Sequence, residues 1–510
     1  MPALTPSPDL GQLRRQAKEL VRAARGGDAA ALARLGETLA PPRLCDAQRA
    51  LAREAGLRSW PELVRYVEAR RADLTARRRL WLSWALEPDA RGHRLAIRML
   101  TDDPDLVAAD PWIACAAGDA DAVSHILARQ PEFASRRGNH QLTPLAVTVR
   151  SRLIHAGRKD GLIETARRLL AAGADPNARW IDPDWPENPL PVLYAAAGVT
   201  HDPEMTALLL AAGADPDDGE SLYHATESRS TDCARALLDA GARITGTNAV
   251  ARALDFDNLA MLDLLLTRGA DATAPAGGPA DADQNLLRHA LDRGRSLAHL
   301  RALIDAGANP RAVADDGASV ADRARQLGRT DVLDHLGGLG IAPAATEGAA
   351  GIVASFVAAC TRGDAAAAGE IRRSAPDIVS RLSANEVRLL PELAGLGAGA
   401  AVRVMLAEGW PIEARAAEWD ATALNTAMFK GDAAMAALLL DAGANWRAQH
   451  GFGDNVLGTL AFSSRSQGIS DPAPRDWAGC AATLLAHGIP RQAFEGRRYA
   501  PEVDAVLDRG

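Results

Sequence analysis

The residues with the greatest capacity for chemistry in this chain are few and unevenly spread. Tyr223 and His224 stand side by side, Glu227 follows, and Asp255-Phe256 and Asp292-Arg293 recur downstream. Facing acids with a histidine and a tyrosine are the raw material of general acid–base catalysis on a small substrate. A second group is Trp180, Asp182, Asp184 and Trp185, with Glu187 close behind. Two indoles beside carboxylates can cup a cation or a basic peptide. Ten acidic residues and one arginine lie between Asp175 and Glu220, which favours that expectation. The plainer alternative is that the indoles pack the loop while the acids stay solvated.

Other chemistry finds less support. No phosphate-binding loop, His-Glu-x-x-His helix or Gly-x-Ser-x-Gly elbow occurs. The glycine-rich Gly395-Leu396-Gly397-Ala398-Gly399 falls within a helical pattern. His201, Asp202 and His224 with Asp182 or Asp184 make a thin case for a metal, so neither metal nor cofactor is expected. The cysteines Cys45, Cys115, Cys233, Cys360 and Cys480 lack metal-ligand or redox spacing, which suits free thiols in a reducing compartment.

Composition narrows the setting. Hydrophobic residues make up 47% of the 510, enough for a folded chain. No apolar run approaches the ~18 residues of a membrane span, and the start lacks the regions of a signal peptide. A cytoplasmic protein is expected, with no membrane partner. Residues 1–100 hold 19 Lys/Arg against 11 Asp/Glu, whereas the whole chain carries −8. A basic head can touch nucleic acid, but solvated helix faces explain it more simply, so nucleic acid is disfavoured as a partner. Lysine occurs only at Lys18, Lys159 and Lys430 against many arginines, as in proteins of GC-rich bacterial genomes.

What must position the candidate residues is a repeat. Leu169-Leu170-Ala171-Ala172-Gly173-Ala174-Asp175-Pro176 returns almost unchanged at Leu209 to Pro216, and worn copies occur at Leu237, Leu265, Leu303, Leu439 and Leu484. The glycine supplies a left-handed residue that ends a helix, and the leucines bury one helix face. The terminating glycines are Gly173, Gly213, Gly241, Gly269, Gly307, Gly340, Gly409, Gly443 and Gly488. Their spacings scatter about 33, with one double gap of 69 before Gly409 that predicts a hidden repeat around Phe356 to Asp364.

The period, the helix openings Thr143-Pro144-Leu145-Ala146 and Thr422-Ala423-Leu424-Asn425-Thr426-Ala427, and the corners Gly118-Asp119, Gly328-Arg329, Gly363-Asp364 and Gly431-Asp432 resemble the ankyrin repeat family. The resemblance covers roughly residues 110–490. It implies an all-α solenoid of about 11 helix-turn-helix repeats behind a small N-terminal helical domain. The expected layout is an N-terminal helical region over 1–75, a capping helix pair over 76–110 and repeats 1–7 over 111–341. A hinge comes next at 342–351, then repeats 8–11 over 352–490 and a C-terminal cap over 491–510. The histidine that the family places after the leucine of the first helix is mostly replaced here, by Ala146, Tyr194, Tyr223, Arg288, Asp322 and Asn425 among others. Either the stacking is loosened or that face is given over to binding. In phase, Cys115, Cys233, Cys360 and Cys480 fall on core positions, which implies buried, inert thiols.

The resemblance further implies a concave groove as the binding face, lined by the last residues of each first helix. By phase Arg150, Glu227, Asp255, Phe256, Asp292 and Arg293 line it in a row, with Tyr223 and His224 nearby. Three segments exceed the period, at 152–161, 178–190 and 463–474, and insertions in repeat stacks collect on the binding face. The leading expectation is a scaffold that binds a protein or peptide, one with basic features, through the groove of repeats 2–6. The rival is an enzyme or small-molecule binder using the same groove, enclosed by the inserts. An open groove would favour the first and a closed pocket the second.

Overall fold

A computed structural model describes residues 9–36, 41–88, 90–276, 285–314, 316–465 and 475–508. Most of the insert read at 463–474 lies outside these residues. The described chain is mostly helical, and no helix in it is long and apolar enough to cross a membrane. It divides into two compact units. The first comprises residues 1–225 with 232–242, the second 226–231 with 243–510.

The first unit begins with helices Leu10–Arg25, Ala29–Leu35, Leu44–Glu54 and Trp60–Arg71. Ala17, Leu20, Val21 and Ala24 recur at helical spacing and pack against Ala31, Leu35, Ala47, Ala50 and Leu51. Ser59 caps the last of the four by accepting from the Glu62 amide, with Pro61 in the first turn. The pair Leu74–Leu86 and Ala90–Asp102 comes next, fixed by the Trp81 Nε1 hydrogen bond to the Ala96 carbonyl at 2.9 Å. Leu74–Leu86 packs on Pro111–Ala117, the first helix of the repeating pairs.

The pairs then run Pro111–Ala117 with Ala120–Arg129, Pro144–Arg150 with Lys159–Ala171, Val192–Tyr194 with Pro203–Ala211, and Ser221–Ala225 with Asp232–Asp239. Val192–Tyr194 continues into a π-helical turn, Ala195–Val199. First helices pack on first helices and second on second. The segment 178–190 is no plain loop. Arg179–Trp180 and Leu190–Pro191 pair as two antiparallel strands, an exception to the all-α expectation. The tract 152–161 forms a 3-10 turn, Arg152–Ala156, before the second helix starts at Lys159.

The second unit repeats the plan from Ala249–Asp255 with Leu259–Thr267 to Val456–Arg465 with Trp477–Ala486. The hidden repeat is present as Gly348–Thr361 with Ala365–Ser374. Its first helix is longer than expected and takes in Gly348 to Gly351, the end of the tract read as a hinge. The start of that tract is tied down, because the Ala344 amide donates to Asp322 at 2.8 Å and the Ala344 carbonyl accepts from Arg325 at 3.0 Å.

The turns show why the leucine–glycine tract recurs. All nine terminating glycines have positive φ, from 68° at Gly340 to 103° at Gly307. At Gly173 the amide donates to Leu170 and the next amide to Leu169, and the same two bonds recur at Gly213. The first leucine of each tract (Leu169, Leu209, Leu237, Leu265, Leu303, Leu439 and Leu484) is fully buried, and the second is only partly so. Each buried leucine contributes roughly 1.5–3 kcal/mol of apolar burial. Cys115, Cys233, Cys360 and Cys480 are buried as expected, and burial pushes the Cys115, Cys360 and Cys480 thiols up to about 12.

Candidate functional site

In the first unit, Arg150 ends the helix Pro144–Arg150 and Arg152 opens the 3-10 turn. Ser151 between them is fully buried and its hydroxyl donates to the Ala116 carbonyl at 2.6 Å. The backbone that carries both guanidiniums is therefore anchored to the preceding helix pair. The Arg150 guanidinium lies over the Trp180 ring, 4.9 Å from its centroid. Trp180 stacks on Tyr194 at 5.9 Å, Tyr194 meets His224 at 4.7 Å, and His224 meets Tyr223 edge-on at 4.9 Å. Gly198 makes room for this row. A Cβ there would stand 2.7 Å from the Tyr194 ring and 2.5 Å from the His224 Cβ. Arg150, Trp180, Tyr223 and His224 are thus brought together, joined by Arg152 and Tyr194, which the repeat phase alone did not place in the site.

The electrostatics of this cluster are unusual. Both arginines are partly buried, yet among the described residues neither makes a hydrogen bond or an ion pair. The Arg152 Nε and the Trp180 Nε1 are buried donors without an acceptor. Burial lowers the pKa of both guanidiniums, in Arg150 against the distant attraction of Asp182 and with the Arg152 charge adding to the fall. A buried cation without a partner is costly, so it stands out in a folded protein.

The cation-cupping role expected of the two-tryptophan loop is corrected here. Trp180 is 1% exposed and its face already holds the chain's own Arg150. Trp185 is 68% exposed, and an Asp182 carboxylate oxygen is engaged in the turn, where it accepts from the Asp184 amide at 3.0 Å. The metal notion also loses its donors: Asp202 caps the Met205 amide and pairs with Lys159 at 2.9 Å.

The second unit treats its charges differently. Glu227 accepts from Arg252 at 2.6 Å, and the Arg252 guanidinium covers Phe256 at 4.7 Å. Asp255 accepts from His289 at 2.9 Å and from Arg293 at 2.8 Å. Asp292 pairs with Arg288 and, at 2.6 Å, with Arg323, which also reaches Glu392 at 2.8 Å. Burial acts to raise the Asp255 carboxyl, but the His289 hydrogen bond and the Arg293, His289 and Arg252 charges carry it below the usual carboxylate range. Glu227, Asp255, Asp292 and Arg293 are therefore struts between helix pairs, while Phe256 only lies under the Arg252 guanidinium of its own helix. A carboxylate tied this way is a poor general base, which removes the support for acid–base chemistry at these positions.

Positions that lack the expected histidine are put to other uses. Asn425 and Asp322 close capping boxes on their own helices, accepting from the Thr422 hydroxyl at 2.8 Å and the Ser319 hydroxyl at 2.7 Å, whereas Arg288 reaches Asp316 of the next repeat at 2.9 Å. A cavity of about 490 Å³ in the second unit is lined by helix corners, including Arg293, Arg295, Leu396 and Asp432, rather than by either insert of the first unit.

No family model matches the chain, and no curated protein matches it. Among solved structures, the ankyrin repeat domain of Bcl-3, described as a unique member of the IkappaB protein family, matches 57% of this chain and 94% of its own. The identity is 19% and the TM-score 0.29. A likeness at that level carries no argument. The repeat character stands instead on the helix pairs and the glycine turns that end them.

Proposed function

We propose that the chain is a binding scaffold of the ankyrin-repeat type, with about eleven helix pairs, and that its working surface is the arginine–aromatic cluster of the first unit. The occupant is an acidic segment of a protein or peptide. The observation that carries this is the pair Arg150 and Arg152, partly buried and without a carboxylate partner. Arg252, Arg288, Arg293 and Arg323 of the second unit are all paired, so the omission is local. This reverses the basic partner that the loop composition suggested, because Arg150 fills the place that a foreign cation would take. The buried thiols without disulfide spacing support a reducing, cytoplasmic setting.

The test is a titration of the full chain, monitored by tryptophan fluorescence, with a glutamate-rich peptide and a lysine-rich peptide of equal length. The acidic peptide binds, more weakly as salt rises, and the basic one does not. Preference for the lysine-rich peptide would overturn the reading.

A further inference from the structure

The cluster has a charge count that narrows its ligand. Two guanidiniums stand two residues apart on a backbone locked by the Ser151 hydrogen bond to Ala116. Each repels the other, and neither has an anion in hydrogen-bonding contact. A single carboxylate would neutralise one charge and leave the other. A phosphomonoester carries about −1.5 to −2 charges at neutral pH and three strong acceptor oxygens. Guanidiniums match such oxygens with paired, parallel N–H donors, which an ammonium cannot do. The aromatic row has a different part. Arg150 covers one face of Trp180 and Tyr194 is stacked on the indole as well, so the row holds Arg150 in place rather than offering a ring for a base or a sugar.

We propose that Arg150 and Arg152 seat a phosphomonoester borne on a side chain of the bound segment, so that the first unit reads a phosphorylated peptide. This rests on the reading that the cluster is the working surface. Arg152 is the chief phosphate ligand, since its Nε is a buried donor without an acceptor. Arg150, pinned on Trp180, supplies the second charge. The rest of the segment lies along Tyr194, His224 and Tyr223.

The experiment titrates the full chain by calorimetry with three probes: a phosphoserine peptide, the same peptide with glutamate at that position, and phenyl phosphate. Wild type, Arg152→Ala, Arg152→Lys and Arg150→Lys are compared, with thermal melts confirming that each variant is folded. The phosphopeptide is expected to bind at least about tenfold tighter than the glutamate peptide, the worth of an added charge-assisted hydrogen bond. Arg152→Ala removes that margin and Arg152→Lys restores only part of it. The margin also shrinks between pH 7.5 and pH 5, as the phosphate with its second pKa near 6 takes up a proton. Equal binding of the two peptides would overturn the phosphate inference and leave the acidic-segment reading standing. If phenyl phosphate binds as tightly as the phosphopeptide, the peptide contributes nothing and the peptide-reading claim falls. If no probe binds, the working-surface reading itself is wrong.

Discussion

The two units use one backbone plan, but the arginines at their candidate positions are treated differently, although both units also hold ordinary ion pairs such as Lys159 with Asp202. In the second, the guanidiniums of Arg252, Arg293 and Arg323 each grip a carboxylate from another helix pair, at 2.6 to 2.8 Å. In the first, Arg150 and Arg152 grip none. The difference teaches that a charge facing a repeat groove is not by itself a binding residue. A neighbouring repeat can consume it, and only what is left over is open to a ligand.

The largest expected effect breaks the second unit's network. Arg323→Ala leaves Asp292 and Glu392 without their shared cation, and Arg323 is 8% exposed. A loss of roughly 3–5 kcal/mol is expected in urea unfolding. A loss below about 1 kcal/mol, the range of exposed pairs, would mean that the network is ornamental.

Leu209→Ala and Leu303→Ala test what the units share. Both leucines are fully buried at the same tract position, so each should cost about 2–5 kcal/mol. Gly294→Ala sharpens the contrast. Gly294 has φ +68° and an added Cβ would stand 2.9 Å from the Leu396 side chain, whereas Gly213 has φ +95° with open space around it. Gly213→Ala should cost about 1–2 kcal/mol for the left-handed backbone alone, and Gly294→Ala more. Equal melting temperatures would contradict the close approach at Leu396.

Asp255 contributes one part of the pH dependence. Its folded pKa lies below the unfolded value, so its contribution is present above about pH 4 and is lost as pH falls through the folded value. Asp255→Asn should flatten the fall in stability between pH 5 and pH 2. An unchanged slope would show that the carboxylate is not linked to folding.

The smallest expected effect has the opposite sign to the first. Arg152→Met removes an unpartnered, partly buried charge and keeps most of the volume. Stability should stay within about 0.5 kcal/mol or rise.

Much of the fold was legible because it is written locally. A glycine with positive φ and a leucine buried four residues before it depend on their own turn, so Gly173 and Leu169 announce themselves. The long first helix from Gly348 was less so, since nothing in small residues such as Ala349 and Ala350 marks a helix start. The site was only half legible. Arg150, Trp180, Tyr223 and His224 were singled out, but Arg152 sat in a segment read as an insertion and Tyr194 in a position read as a lost histidine. The ion pairs were missed for a plain reason. Glu227 with Arg252, Asp255 with His289 and Asp292 with Arg323 are 25, 34 and 31 residues apart. A search for opposite charges one period apart would have found them, but it would also have offered Asp182 and Asp184 to Arg150 and Arg152, and only the side-chain geometry shows that those pairs do not form.

The central claim is that recognition uses unpaired charge in the first unit while the second unit's charges hold the fold. The most direct measurement compares two double variants, Arg150→Ala with Arg152→Ala and Glu227→Ala with Asp255→Ala, in the acidic-peptide titration alongside thermal melts. The account predicts that the arginine variant keeps its melting temperature and loses binding. The carboxylate variant should bind normally at temperatures where it remains folded, and melt earlier. Binding lost in the carboxylate variant and kept in the arginine variant would contradict it.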